Sequence, residues 1–185
     1  MAVLVHLWLP ILLSTIVVFA LSAASHMVLP WRRNEWGRIT DAGALQGAIR
    51  GLGPGQYAFP AAPDAKQQMR KDWMERWAAG PSGWLTIARP GPIRMGQNMA
   101  LSFLVFLFVS FVEAYLAAHM VGTPARFRLV ARVVGTVGFM SLGVGSIFNS
   151  IWYHRPWRAY CADLVDAVLF AAAMAIVFGL LWPRP

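Results

Sequence analysis

This chain is short of charge and almost without cysteine. A single cysteine, Cys161, stands among its 185 residues, so an internal disulfide and any multi-cysteine metal site are excluded. The thiol reads as a small apolar packing group. No Cys-x-x-Cys-His occurs, which excludes that route of covalent haem attachment. No Glu-x-x-His or His-Glu-x-x-His occurs either, so the helical di-iron and zinc motifs are missing. The glycines of Gly51-Leu52-Gly53-Pro54-Gly55 are interrupted by proline and follow no strand pattern, so they make no Walker-type or dinucleotide-binding loop. No internal repeat is visible, and this argues against a transporter built from inverted repeats within one protomer. Charged residues make up 13% of the chain, about half the usual share of a soluble protein.

What the chain has instead is long apolar runs. A helix needs about 20 apolar residues to cross the hydrocarbon core of a bilayer. Four stretches are long enough: roughly Val3 to Pro30, Asn98 to Val121, Leu129 to Trp152 and Tyr160 to Trp182. The expected fold is therefore an all-α membrane protein, one membrane domain over 1–185, with four transmembrane helices and a long loop, 31–96, carrying short amphipathic helices. The first run is longer than a signal-peptide core and no Lys or Arg precedes it, so it reads as a retained anchor despite the small residues Ala23-Ala24-Ser25.

The net charge of +8 does not point to nucleic acid, because the basic residues flank the apolar runs, where anionic headgroups lie. With four spans, loop 31–96 and the connection 153–159 share one side and hold 12 of the 16 basic residues. The positive-inside rule then predicts that loop to be cytoplasmic and both termini to lie on the opposite side of the membrane.

The loop carries six prolines and ten glycines between Trp31 and Gly96, too many breaks for a conventional soluble core. Two short helices fit between the breaks. Thr40 can cap one running to about Arg50, with Ala44, Leu45, Ala48 and Ile49 on one face. Asp64 can cap another running to about Ala79. There Ala65, Met69, Trp73 and Trp77 recur every four residues, bordered by Lys66, Arg70, Lys71 and Arg76. That composition suits a helix lying flat on a membrane surface; packing on the loop itself or on the ends of the spans, or in a partner's groove, are the alternatives.

Ionisable residues at membrane depth are costly and are candidates by default. Glu113 is expected to pair with Arg132 across a short connection, since an Arg can snorkel to it. Carrying a proton or a substrate, or staying neutral through burial, are the alternatives for Glu113. Asp163 and Asp166, three apart on one helix face, are expected to form ion pairs with Arg155 and Arg158 and to complement the helix dipole. A sharper alternative joins them with His26 as metal ligands. His26 or His119 could ligate a haem or pigment, although a lone imidazole in a span more often bonds a neighbouring helix. No cofactor is predicted on these grounds beyond bound lipid. In the third span, Gly135, Gly138, Ser141, Gly145 and Asn149 are the expected helix-packing face, because small residues let helices approach.

Four blocks stand out together: His26-Met-Val-Leu-Pro-Trp31, Gly55-Gln-Tyr-Ala-Phe-Pro60, Gly80-Pro-Ser-Gly-Trp-Leu85 and Asn149-Ser-Ile-Trp-Tyr-His-Arg-Pro-Trp157. Their order, with the four-span layout, resembles a family of small uncharacterised bacterial integral membrane proteins. Members of that family tend to carry a His and an Asp shortly after the Leu-Pro-Trp block. Here Arg32-Arg33-Asn34-Glu35-Trp36 has neither. The resemblance implies membrane class and bacterial origin and carries no activity.

From the residues, a non-enzymatic accessory or assembly subunit is expected, with lipids and other membrane subunits as partners. A small oligomeric transporter or channel lined by Glu113 and Asp163, and a metal-dependent membrane enzyme using His26, Asp163 and Asp166, are the alternatives.

Overall fold

The computed structural model describes residues 6–184. By packing, the chain divides into two compact units. One comprises Met1–Trp36, Arg94–Ser150 and Arg155–Pro185; the other comprises Gly37–Ile93 with Ile151–His154.

The first unit is a four-helix bundle. Helix α1 spans Trp8–Met27. Its end is written in the sequence. Leu29 precedes Pro30 and is extended, as a residue before proline must be, so the helix stops and a 3-10 turn over Pro30–Arg32 follows. With α2, α3 and α4 assigned to the second unit below, helix α5 spans Met95–Met120. Helix α6 runs over Phe127–Phe139, passes through a π-helical segment at Met140–Val144, and resumes as α7 over Ile147–Trp152. Helix α8 spans Trp157–Leu181, with Pro156 at its N-cap. Among the described residues, four stretches are thus long and apolar enough to cross a membrane: Trp8–Met27, Met95–Met120, Phe127–Trp152 and Trp157–Leu181. They agree with the expected spans to within a few residues; the start expected at Val3 lies outside the described residues.

Packing runs α1 to α5, α5 to α6, α6 to α8 and α8 back to α1, a closed ring, with the α6–α8 seam the most extensive. Leu7, Val18, Ala114, Val130, Val134, Met174 and Phe178 fill its interior. The outside is apolar as well: Leu104, Val105 and Phe108 of α5 are exposed. A helix bundle that is apolar on both faces has lipid as its solvent. The protein is a multi-pass membrane protein.

The π segment resets the packing face of the third span. Along it the buried residues are Val130, Val134, Gly138 and then Gly143, a spacing of four, four and five. The extra residue of the π turn accounts for the five. A uniform 3.6-residue helix instead continues from Gly138 to Ser141, Gly145 and Asn149, which was the expected face. Those three residues are exposed, and no atom outside the helix lies within 4 Å of a Cβ placed on Gly145. Gly135 and Gly138 do face α8, at Ala175 and Ala171 respectively, and Gly143 faces Ala167.

The second unit holds helix α2 over Ala42–Ile49, capped by the Asp41 carboxylate on the Ala44 N–H at 2.8 Å rather than by Thr40. Strand β1 covers Gly55–Phe59. Asp64 caps the short helix α3, Ala65–Gln68, and helix α4 covers Lys71–Ala79. Strand β2 covers Gly83–Ile87. The strands form an antiparallel pair with Gly55 opposite Ile87, Tyr57 opposite Leu85 and Phe59 opposite Gly83. Gly83 leaves room for the Phe59 ring, which a Cβ there would approach to 3.2 Å. No residue of Gly37–Ile93 is fully buried, in keeping with its many breaks.

The expected single helix from Asp64 to Ala79 is two pieces, broken at Met69 and Arg70. Its tryptophans point inward rather than forming a bare stripe. Trp73 and Trp77 stack with centroids 5.2 Å apart, and Trp77 lies 6.1 Å from both Trp84 of β2 and His154. Trp84 meets Tyr153 edge-on at 5.4 Å. This is packing on the loop itself and on Tyr153 and His154, just after the end of the third span. Met69, Arg70 and Lys71 are exposed, with Arg70 and Lys71 paired locally to Asp72 and Glu75.

Candidate functional site

The bundle gathers its charge at one place. Two prolines set it up. Pro30 ends α1 and aims Trp31 and Arg32 at α8, and Pro156 starts α8 with Arg155 just before it. Between these arginines lie Glu35, Asp163 and Asp166.

Arg32 is the hub. Its Nε donates to Asp166 Oδ2 at 2.8 Å, Nη2 to Asp166 Oδ2 at 2.5 Å and to Asp163 Oδ1 at 3.1 Å, and Nη1 to Glu35 Oε2 at 3.0 Å. Arg155 closes the ring, donating through Nη2 to Glu35 Oε1 at 2.7 Å and to Asp163 Oδ1 at 3.1 Å, and through Nη1 to Asp163 Oδ2. Neutral donors complete the shell of Asp166: Ser25 Oγ at 2.6 Å and Trp31 Nε1 at 3.0 Å, both to Oδ1. Every carboxylate oxygen of the three acids therefore accepts a hydrogen bond. Two guanidiniums face three carboxylates, which leaves one formal negative charge. The Asp166 side chain is 3% exposed and that of Arg32 9%, so the network is shielded from solvent screening.

The groups outside the spans respond accordingly. Burial works against the charge on Glu35, but the hydrogen bonds and charges of Arg155 and Arg32 outweigh it and hold the carboxyl below the usual glutamate range. Burial likewise opposes the charge on Arg32, and its bonds to Asp166, Glu35 and Asp163 raise it nonetheless. Arg155 is raised chiefly by its hydrogen bond to Asp163. Both arginines stay charged throughout the accessible pH range.

A carboxyl held below its unfolded value, about 4.3 for glutamate, adds stability above that value and loses it as pH falls through the lower, folded one. Stability should therefore drop on acidification below about pH 4.3. Glu35→Gln should show a shallower drop, read from thermal unfolding in detergent over a pH series. An unchanged acid slope in that variant would remove Glu35 from the network's energetics.

Several expected partners differ. Arg158 is exposed and joins no ion pair among the described residues; Arg32 takes that place. Asp163 and Asp166 lie in the second and third turns of α8, beyond the first turn where the helix dipole acts, so guanidiniums hold them. Arg32 and Glu35 were not expected as site residues. The signal for them was the need of two buried aspartates for a second cation beside Arg155.

Glu113 has no partner at all among the described residues: it is 0% exposed and neither carboxyl oxygen accepts or donates a hydrogen bond. The expected pair with Arg132 is absent, and Arg132 is exposed. The Glu113 carboxyl lies against Gly138, six residues further along the third span than Arg132, or about 9 Å of helix rise.

The two histidines are alike. His26 and His119 are exposed, and each places Nδ1 on the carbonyl four residues back, Ser22 at 2.9 Å and Tyr115 at 2.7 Å. His26 does not converge with Asp163 and Asp166, and no group of His, Cys, Asp or Glu that could hold a metal ion occurs among the described residues.

No protein-family model, curated protein or solved structure matches this chain.

Proposed function

We propose that this chain is a non-catalytic subunit, structural or assembly-related, of a larger complex of the bacterial inner membrane, respiratory or photosynthetic. One observation carries the reading. The densest gathering of polar side chains in the bundle is closed upon itself, with every oxygen of Glu35, Asp163 and Asp166 engaged by Arg32, Arg155, Ser25 or Trp31. A catalytic centre needs a reactive group beside a place for the reacting atom. Here the geometry ties the end of α1 and the connection before α8 to α8 itself, which is the work of a clasp.

The apolar exterior of the bundle supports contact with lipid and with neighbouring membrane subunits. The charge bias supports the orientation with loop 31–96 cytoplasmic and both termini periplasmic. The four-block resemblance supports a bacterial source.

The alternative of a pore between protomers loses support, because Glu113 faces the inside of its own bundle. The metal-enzyme alternative loses support because its three proposed ligands do not meet.

The test is purification from native membranes in mild detergent, followed by the mass and composition of the intact particle. Co-purifying heteromeric membrane subunits are the expected result. A homogeneous monomer or small homo-oligomer would overturn the accessory-subunit reading.

A further inference from the structure

Glu113 is the one acidic side chain of the bundle that the clasp does not use, and its surroundings were shaped to admit it. Its carboxyl lies over Gly138 of α6, where a Cβ would come within 2.7 Å of Oε1 and 3.3 Å of the Ala171 Cα on α8. The absence of a side chain at 138 thus makes the space the carboxyl occupies. A leucine at 113 would suit an apolar interior at no electrostatic cost, whereas an ionised carboxylate without a donor at this depth is among the costliest groups a bundle can hold.

One turn away on the same helix is Ser110, itself fully buried. Its Oγ meets Ser14 Oγ of α1 at 3.0 Å and Thr15 Oγ1 at 3.3 Å, and both of those hydroxyls also reach the Ile11 carbonyl, at 3.0 and 2.7 Å. Hydroxyls rotate between donor and acceptor roles, which is what passing a proton requires. Among the described residues, no fixed charge opposes or neutralises Glu113. On its own helix, Tyr115 and His119 are exposed. On α6, Arg128 and Arg132 are exposed, and on α1, His26 is exposed. On α8, Arg158 and Cys161 are exposed, Tyr160 is buried near the N-terminus, Asp163 and Asp166 are held in the clasp, and Asp166 lies five residues before Ala171.

We propose that Glu113 is a reversible proton-binding site in the core of the bundle, one helical turn from the buried hydroxyl cluster of Ser110, Ser14 and Thr15. The step is a simple ionisation: the carboxyl O–H breaks, the proton leaves to water at a membrane face, and uptake reverses it. The site is independent of the accessory-subunit reading and stands whether or not partner subunits are found.

The experiment is infrared difference spectroscopy on the full chain in lipid nanodiscs, recorded across a pH series and in H2O against D2O. The expected result is a carboxylic-acid carbonyl band that shifts in D2O, loses intensity as pH rises, and is missing in Glu113→Gln. Glu113→Asp keeps a carboxyl and should move the band rather than abolish it, which covers the case that the Gln variant folds poorly. Ser110→Ala should alter the band's position while leaving it titratable. A wild-type spectrum with no band assignable to Glu113 would overturn the proposal. So would a band that neither exchanges nor responds to pH, which marks a sealed acid. A band that disappears on adding Na+ at constant pH marks a metal-cation site and would overturn it too.

Discussion

Arg32→Ala should cost about 3–5 kcal/mol of stability, the range seen when one member of a buried ion pair is removed and its partner stays charged. The reason lies in how much this one guanidinium does. It reaches Glu35, Asp163 and Asp166 at once, and it supplies both donors to Asp166 Oδ2. Without it, Asp166 retains only Ser25 and Trp31, and its charge stays buried. Arg32→Lys should recover only part of the loss, because an ammonium is a compact point charge without the planar fork that spans three carboxylates. Arg32→Ala combined with Asp166→Asn should be more stable than Arg32→Ala alone, since the orphaned charge is gone. Arg158→Ala, at an exposed position outside the network, should stay within about 0.5 kcal/mol of the parent. Unfolding in detergent, followed by circular dichroism, ranks all four. Equal losses for Arg32→Ala and Arg158→Ala would contradict the clasp.

Gly143→Val should cost about 1–3 kcal/mol, the usual range for overpacking a close contact. A Cβ at 143 would already sit 2.8 Å from the Ala167 Cβ. That neighbour is a short side chain on a helix backbone and cannot swing away, so α6 and α8 would have to separate. Gly145→Val is the comparison, since nothing outside its helix lies within 4 Å of a Cβ there. The two glycines are two residues apart, and only the π turn decides which faces α8. Matching thermal shifts for the two variants would mean that the third span is a uniform α-helix with a different packing face.

This pair also shows where sequence reading stops. The four spans were legible because bilayer thickness fixes the length of an apolar run, and the end near Pro30 because proline punctuates a helix locally; α8 starts at Trp157, three residues before the expected Tyr160, since Arg158 interrupts the apolar run. The π turn was not, since a single inserted residue leaves no compositional mark between Phe139 and Gly145. The β-hairpin was missed for a different reason. Its strands, Gly55–Phe59 and Gly83–Ile87, are separated by two short helices, so no local turn signal joins them. Yet two of the blocks that stood out, Gly55 to Pro60 and Gly80 to Leu85, contain much of those paired strands.

Within the site, the pairing of Arg155 with Asp163 was expected from nearness in sequence. Arg32 and Glu35 come from 131 and 128 residues before Asp163, and only the closing of the helix ring brings them there. Glu113 and Arg132 looked like neighbours on a map of adjacent helices, but rise along the helix separates them.

The clasp also has a history in time. Its cations and acids enter the chain far apart: Arg32 and Glu35 follow the first helix, while Asp166 belongs to the last, 134 residues after Arg32. At bacterial or eukaryotic elongation rates, roughly 7–27 s of synthesis separate Arg32 from Asp166. Through that interval Glu35 is the only other member of the charged network already made, since Arg155, Asp163 and Asp166 all come later in the chain. A chain truncated before its last helix lacks Asp163 and Asp166, so the network can close only once α8 has been made.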